Sequence, residues 1–349
     1  MIPIICNTAF EKLAILDDFV SFIWSSRYNS VGDFELVLNM NDVALNYIKK
    51  GYYLLREDDD HVGIVENIKI DVNADGDEQM IVSGRFIDSI LARRIVAEQT
   101  QFNEQKVSDV IYGLIDDAIV NPDDDDRKIA QFRNGTYEVA ATITCQFTGK
   151  NLLDVIQNLC EEYHLGFKIT ISDTLIPKAF NFNLYQGTDR TYNQSVNPYA
   201  VFSDKYDNLL TAEYLESYEN LVTDVLVAGE GEGTDRKTAW ASKATNTGLN
   251  RYEMYKDARN MSSDEGYISD EEYIASLVAE GMESITEYTQ AFSGQVDFTN
   301  VKYKTDINLG DLCVIECSKW GININARLVE VIESINEQGV YTITPTFGL

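Results

Sequence analysis

Histidine is nearly absent from this chain of 349 residues, which contains only His61 and His164. Neither lies near a cysteine cluster in the sequence, so the chain does not assemble a convincing zinc site or histidine-based triad. A G-x-S-x-G motif is also absent. These absences disfavour zinc-dependent and serine hydrolases. The sequence does not exclude a catalytic pair of carboxylates, as in a glycosidase. With 57 acidic residues in the chain, however, the proximity of any two says little about catalysis.

Basic residues are scarce as well. Lys and Arg number 28 against 57 Asp and Glu, which gives a formal net charge of −29. This balance opposes binding to nucleic acid and docking on an anionic membrane, because both need a basic surface. Two interpretations follow. The charge either gives an ordinary soluble acidic surface or forms an acidic wall past which a polyanion slides without adhering.

Long apolar runs and paired cysteines are missing too. No run approaches ~18 residues, so no transmembrane helix is expected. The first residues lack a basic segment and a clear cleavage site, which disfavours a signal peptide. The five cysteines are an odd number, and Cys313 and Cys317 would lie ~13 Å apart along a strand. A reduced, cytoplasmic folding environment fits best.

Hydrophobic alternation dominates both ends of the chain. It predicts strands over 19–28, 33–38, 52–56, 62–72 and 79–86 in the first part, and over 312–317, 327–335 and 340–344 in the last. Residues 321–325 interrupt the last pattern, and 336–339 form a hairpin loop. A short helix over 41–50 has Asn41 as its N-cap. The acidic runs 57–60 and 123–126 are interpreted as solvated faces.

Helical stripes occupy the middle of the chain. Ser108 and Asn151 are suited to cap two helices, and strands are predicted over 167–172 and 180–185. Ser269 and Glu272 have the spacing of a capping box that opens a further helix. The helical stripes are interpreted as core, because apolar residues at this spacing most often face a core.

Three short motifs imitate ligand sites. The candidate metal ligands are Asp71, Asn73, Asp75 and Asp77. Val82 occupies the position where a calcium loop needs a bidentate Glu, so an acidic hairpin turn is favoured there. Gly229-Glu230-Gly231-Glu232-Gly233 fails the dinucleotide pattern, and Thr148-Gly149-Lys150-Asn151 fails the phosphate-loop pattern. No catalytic residue and no cofactor are expected.

Several spaced motifs resemble the phage tail-tip and baseplate hub family, which includes the N-terminal hub region of siphophage tail-associated lysins. They run in order along the whole chain, which is more specific than any single match. The motif residues are Trp24, Arg27, Tyr28, Gly32, Asp33, Phe34, Arg85, Gly229, Gly231, Arg236, Gly310, Asp311, Phe347 and Gly348.

The resemblance implies a multidomain α+β protein with two similar antiparallel β-barrel tube domains. The first barrel would span 1–97, and the second would be split between 199–232 and 291–349. An α/β outer domain (98–198) and a helical insertion (233–290) complete the expected division.

The resemblance also implies a structural, non-enzymatic role. Three copies would form a ring that adapts a six-fold tail tube to a three-fold tip and lines the channel for DNA or tape-measure protein. Expected partners are the distal tail or tail tube protein, the tape-measure protein and a separate spike, fibre or hydrolase, since the sequence stops after Phe347-Gly348-Leu349. Such a protein would assemble in the host cytoplasm and reside at the virion tail tip. The alternative is a cell-wall glycan-binding or peptidoglycan-degrading tail protein, in which some of the 20 tyrosines stack on sugars.

Overall fold

The structure of the chain, a computed structural model, consists of two compact units. The model describes residues 1–72, 76, 78–172, 178–263, 269–286, 289–293, 296–298 and 301–348. The larger unit comprises 1–213 and 292–349, and the smaller unit comprises 214–291. Strands account for 43% of the structure and helices for 19%, so the fold is mostly β with several sheets.

Twenty-two strands are formed by the described residues. They are β1 Pro3–Cys6, β2 Lys12–Ile15, β3 Phe19–Arg27, β4 Asp33–Asn39, β5 Tyr53–Arg56, β6 Asp59–Ile64, β7 Asn67–Val72, β8 Glu78–Arg85, β9 Thr100–Lys106, β10 Phe132–Asn134, β11 Thr142–Phe147, β12 Gly166–Ile171, β13 Phe180–Tyr185, β14 Val201–Ser203, β15 Glu213–Ser217, β16 Asp224–Ala228, β17 Thr238–Ser242, β18 Glu253–Asp257, β19 Thr289–Ser293, β20 Leu312–Cys317, β21 Ile322–Asn336 and β22 Tyr341–Gly348.

Four α-helices accompany these strands in the described part of the chain. They are α1 Asp42–Tyr47, α2 Val107–Ile115, α3 Leu152–Glu162 and α4 Asp270–Met282. Short 3-10 turns also occur, among them Ile87–Arg93, and a π-helical turn, Asp116–Val120, continues α2. None of the described helices is long and apolar enough to cross a membrane.

The large sheet of the larger unit joins the two ends of the chain. Its central order is β22-β21-β3-β4-β8-β7, and β21 also pairs with β20, which pairs with β14. The long strand β21 pairs antiparallel with β3 from Glu330 opposite Arg27 to Asn336 opposite Ser21. Beside this sheet lies a four-stranded sheet of order β2-β1-β5-β6. Buried aromatic residues of β3 and β4, including Trp24 and Phe34, fill the core between them.

A second core of the larger unit is built around helices. Helices α2 and α3 pack with β12, β13 and the turn Ile87–Arg93 around Leu114, Ile156 and Phe167. Strand β13 lies between β10 and β12, and β9 pairs with β11. The predicted helical stripes are therefore core, as the periodicity indicated.

The smaller unit has its own core. Strand β16 lies between β17, which is antiparallel to it, and β18, which is parallel to it. Helix α4 covers this sheet with Tyr273 and Leu277, and both side chains are buried against Val225 and Val227. The capping box predicted for α4 is confirmed, since Ser269 and Glu272 exchange hydrogen bonds with each other's backbone amides.

The predicted pair of closed β-barrels is not confirmed. Within the described residues every sheet runs from one edge strand to another without closing on itself. Strand β16, which the prediction placed with 291–349, pairs instead with β17 and β18. The α+β prediction therefore becomes a mostly β fold of several open sheets.

Several local predictions are wrong. Residues 322–325 do not interrupt a strand but begin β21, because Gly321, with a φ of +67°, completes the turn just before it. Ser108 does not cap α2: the helix already begins at Val107, and the Ser108 hydroxyl accepts a hydrogen bond from the Val139 amide at 3.2 Å. The acidic run 57–60 is not wholly solvated, since the Asp59 side chain is 3% exposed.

Candidate functional site

A group of contacts between distant chain segments surrounds Tyr28, which directly follows β3. Its hydroxyl donates to the His164 carbonyl at 2.8 Å and accepts from the Gly187 amide at 3.2 Å. Gly166 and Gly310 lie against its ring, where a Cβ on either residue would fall within 2.5 Å of a ring carbon. These positions need glycine because any side chain there would displace the ring.

Tyr28 thereby connects three distant segments of the larger unit. The Arg327 guanidinium lies 5.5 Å from the centre of the Tyr28 ring and donates to the Gly310 carbonyl at 2.6 Å. Gly310 has a φ of +93°, a backbone conformation that residues with a side chain rarely adopt. Both the backbone conformation and the contacts of Gly310 therefore require glycine.

Asp311 orders the segment that follows. Its carboxylate accepts from the Arg190 guanidinium at 2.6 Å, from the Thr188 amide at 2.7 Å and from the Asn308 amide at 3.0 Å. The side chain is only 3% exposed, so these bonds replace the water that a buried carboxylate loses. Asp311 therefore fixes the start of β20 to the loop that precedes β14.

Arg27 ties the two chain ends together. Its guanidinium donates to Asp33 at 2.6 Å and to its cross-strand partner Glu330 at 2.7 Å. The two carboxylates raise the pKa of Arg27 against the opposing effect of burial, so the group stays charged. The Trp24-x-x-Arg27-Tyr28 motif thus supplies three contacts: Trp24 packs in the core, Arg27 forms ion pairs, and Tyr28, directly after β3, holds the ring contacts described above.

The remaining motif residues of the larger unit are also structural. Gly32 makes room for the Phe86 ring, and Phe34 and Phe347 are buried. Arg85 pairs with Glu66 at 2.8 Å on the surface. Gly348, the partner of Arg327 across β21 and β22, packs against the Val329 side chain.

Gly229, Gly231 and Arg236 come together in the smaller unit. Arg236 donates to the Gly229 carbonyl at 2.9 Å and pairs with Asp257 at 2.5 Å. Gly231 has a φ of +97°. The residues therefore close a turn around an arginine.

A buried charged cluster, which the sequence did not reveal, joins the large sheet to the four-stranded sheet β2-β1-β5-β6. The Arg56 side chain is fully buried and contacts Glu333 at 3.0 Å, while Lys304 bonds Glu333 at 3.2 Å and Asp59 at 2.7 Å. The charges of Glu333 and Asp58 hold the pKa of Arg56 above its usual range. We name Arg56, Asp59, His61, Lys304 and Glu333 the charged cluster.

Asp59 and His61 of the charged cluster, together with neighbouring Asp60, form the one described group of residues with metal-ligand spacing. His61 Nδ1 lies 2.6 Å from Asp59 Oδ1 and 3.9 Å from Asp60 Oδ1. However, the second Asp59 oxygen binds the Lys304 ammonium, which supplies the positive charge that a metal would bring. The Asp59 carboxylate also raises the pKa of His61, against the opposing effect of burial. The arrangement fits an ion-pair network and not a metal centre.

Of the other predicted metal ligands, Asp71 is exposed on β7 and pairs with Lys69. Asn73, Asp75 and Asp77 lie outside the described residues.

Nucleophilic chemistry is not favoured at two of the buried thiols. Burial raises the pKa of Cys160 and of Cys313, which keeps both thiols protonated.

The described motif residues contact other side chains and backbone groups within their own unit. Within each unit they act as clamps between chain segments.

Comparison with known structures identifies this architecture. The chain superposes over 99% of its length on 98% of a 43 kDa tail protein of prophage MuSo2 from Shewanella oneidensis, with a TM-score of 0.56 and 12% identity. A tail protein from Neisseria meningitidis gives a TM-score of 0.56 at 13% identity, over 100% of this chain and 96% of that one. Prophage tail protein gp18 from Listeria monocytogenes gives 0.51 at 12%, over 100% and 94%.

The fold is therefore that of phage tail proteins. A family model described as Siphovirus ReqiPepy6 Gp37-like protein matches residues 3–349, and the chain belongs to this family. No curated protein matches the chain in sequence. The resemblance drawn from the spaced motifs is confirmed at the level of the tail protein family.

Proposed function

We propose that this protein is the structural hub of a phage tail tip or baseplate, or of a phage-tail-like particle. The observation that carries the proposal is the match to a siphovirus family over residues 3–349, together with the tail-protein fold over nearly the whole chain. In this role three copies form a ring that adapts a six-fold tube to a three-fold tip. The ring lines the channel through which tape-measure protein and DNA pass.

An unpaired edge of the large sheet supports assembly with other chains. Among the described residues, strand β7 pairs with β8 alone, and all six of its residues are exposed. Ile68, Ile70 and Val72 alternate along it and share one face, where they are 39%, 58% and 59% exposed. Edge strands with exposed apolar residues pair readily with other chains, so such an edge is stable in solution when a neighbour covers it.

The charge of the chain supports a channel wall. A net charge of −29 per copy repels a polyphosphate chain at short range, so an acidic lumen would let DNA pass without adhering. We propose that the large sheet, which holds strands from 1–97 and 291–349, supplies this wall. Residues 98–198 would form the outer part, and 233–290 would remain an insertion.

The proposed role is non-enzymatic, and it is supported by the tail-protein fold rather than by any group of residues. The motif residues would act as clamps that hold the wall in shape. The proposed partners are the distal tail or tube protein, the tape-measure protein and a separate spike, fibre or hydrolase. The proposed location is the virion tail tip, after assembly in the host cytoplasm.

Mass measurement in solution and negative-stain imaging test this proposal. The full chain is examined alone and after mixing with a tail tube protein. A three-fold ring with a central hole in either sample supports the hub role, and a reconstruction should place carboxylates along the hole. A monomer in both samples, or a ring with a basic or apolar lumen, contradicts it.

A further inference from the structure

The loop between β13 and β14 has no regular structure, yet its own side chains hold it firmly. The Gln194 side chain accepts from the Val196 and Asn197 amides at 2.8 and 2.7 Å. It also donates to the Thr191 and Asn197 carbonyls at 3.1 Å each. Four bonds from one residue fix the loop in a single conformation.

The ends of the loop are anchored to the large sheet. The Arg190 amide donates to the Leu312 carbonyl at 2.8 Å, and the Ala200 amide donates to the Arg190 carbonyl at 3.0 Å. The Arg190 side chain binds Asp311, as described above. The loop is therefore held in place before any partner arrives, which lowers the entropy that binding would cost.

This rigid loop presents two tyrosines to solvent. The Tyr192 and Tyr199 rings meet edge to face, with 5.3 Å between their centres and an angle of 76°. Tyr192 is 50% exposed and Tyr199 is 52% exposed. A tyrosine whose only purpose is core packing would be covered, whereas about half of each of these two tyrosines is open to solvent.

A cavity of about 260 Å³ adjoins one tyrosine of the pair, Tyr199. Its lining combines apolar and polar side chains. The residues that line it are Arg190, Pro198, Tyr199, Val301, Thr305 and Asp306. Asp306 is exposed and binds the Lys302 amide with one carboxylate oxygen at 2.9 Å.

The arrangement matches the chemistry of a sugar ring. The apolar C–H face of a pyranose packs on an aromatic ring, while its hydroxyls bond to carboxylate and hydroxyl oxygens at the rim. The cavity is smaller than the ~300–1,000 Å³ of sites for drug-sized molecules. A volume of this size suits one or two sugar units of a longer chain.

We propose that the loop 189–200 and the adjoining cavity form a binding site for a neutral polysaccharide. Tyr192 and Tyr199 provide the stacking surfaces, and Thr305 and Asp306 bond the hydroxyls. Anionic polymers are disfavoured, because Arg190 is neutralised by Asp311 and the chain carries a net charge of −29. The site is independent of the hub role and would add a contact with a surface glycan.

A glycan array tests the proposal. The full chain is applied to immobilised neutral oligosaccharides (glucan, galactan, rhamnan and N-acetylglucosamine types) and to anionic polyol-phosphate polymers. We expect binding to at least one neutral type and none to the anionic ones. Calorimetry with the bound oligosaccharide then compares variants. Tyr199→Ala should weaken binding about tenfold, whereas Tyr199→Phe should keep it.

Tyr47→Ala is the matched control, because Tyr47 is an exposed tyrosine on α1 that does not line the cavity. It should bind as the natural chain does. Circular dichroism and thermal melting establish that each variant folds. Asp306→Asn, a surface change, gives a second and independent loss of affinity. Absence of binding to every neutral type, binding to anionic polymers alone, or equal affinity of a folded Tyr199→Ala variant overturns the proposal.

Discussion

Glu333 is the residue on which the charged cluster depends, since it contacts both Arg56 and Lys304. Glu333→Gln removes the charged partner of the fully buried Arg56 guanidinium across the sheets, while Asp58 stays bonded to Arg56 at 2.6 Å. The buried charge is then only partly compensated, so we expect the free energy of unfolding to fall by on the order of 2 kcal/mol in urea titrations, less than the about 3–5 kcal/mol that a fully unpaired buried charge costs.

Lys69→Gln is the control for this experiment. Lys69 pairs with Asp71 on the surface, where both side chains are about half or more exposed. Exposed pairs contribute about 0–1 kcal/mol, so this variant should unfold almost as the natural chain does. Equal losses in the two variants would show that the charged cluster does not stabilise the fold.

Asp88 gives the fold a pH dependence of known sign. Burial raises its pKa to about 6, while nearby His61 opposes this shift. The folded state therefore holds a proton that the unfolded state releases between about pH 4 and pH 6, and stability falls as the pH rises through this range. Asp88→Asn should remove that fall and raise the free energy of unfolding at pH 7 by about 1–3 kcal/mol.

Urea unfolding at several pH values from about 4 to 7 measures this effect. The Ile169 amide, which bonds to Asp88 at 2.5 Å, keeps an acceptor in the Asn variant. A variant that is less stable than the natural chain at pH 7 would contradict the assignment, because it would mean that the charged carboxylate is the favoured form.

At the scale of elements, the sequence predicted correctly those features that depend on neighbouring residues, namely helix caps and the range of one strand. Asn41 and Asn151 cap α1 and α3 as expected, because their side chains accept hydrogen bonds from backbone amides of the first turn. Strand β20 matches its predicted range of 312–317. Caps and alternation act within a few residues, so the sequence order alone carries them.

Contacts between distant elements could not be predicted in the same way. Arg56 and Glu333 are 277 residues apart, and nothing in the composition of either strand marks its partner. The interpretation of 57–60 as a solvated acidic face failed for Asp59 for this reason, since its neutralising partner Lys304 comes from another element. Tyr192 and Tyr199 likewise could not be singled out from the sequence, because their exposure depends on the loop conformation that the hydrogen bonds of Gln194 hold.

Strand β7 is the element on which assembly can be tested. Ile70→Lys places a charge in the middle of its exposed apolar face, a device by which natural edge strands avoid pairing. We expect self-association of the full chain to weaken by at least about tenfold in sedimentation experiments. The fold should persist, because the Ile70 side chain is 58% exposed.

Leu249→Lys serves as the matched control, because Leu249 is 96% exposed and lies outside any strand. It should associate as the natural chain does. If Ile70→Lys associates as strongly as the control, β7 does not lie in a contact between copies, and another edge must supply it.

At the scale of the whole molecule, the net charge sets the expected behaviour toward DNA. With 28 basic and 57 acidic residues, the full chain should not retard duplex DNA in a gel even at about 10 mM salt, where screening is weakest. A basic DNA-binding protein run alongside shows that the assay detects binding. Retention of DNA at micromolar protein would contradict an acidic channel wall.

The pairing of β3 with β21 has a consequence for biosynthesis. Arg27 meets Glu330, which follows it by 303 residues, so the large sheet cannot be completed until nearly all of the chain has left the ribosome. At about 5–20 residues per second, β3 and β4 wait roughly 15–60 s for their neighbour. During that interval their apolar faces are open to chaperones. A nascent chain that stalls before β21 cannot contribute a finished sheet to a growing particle.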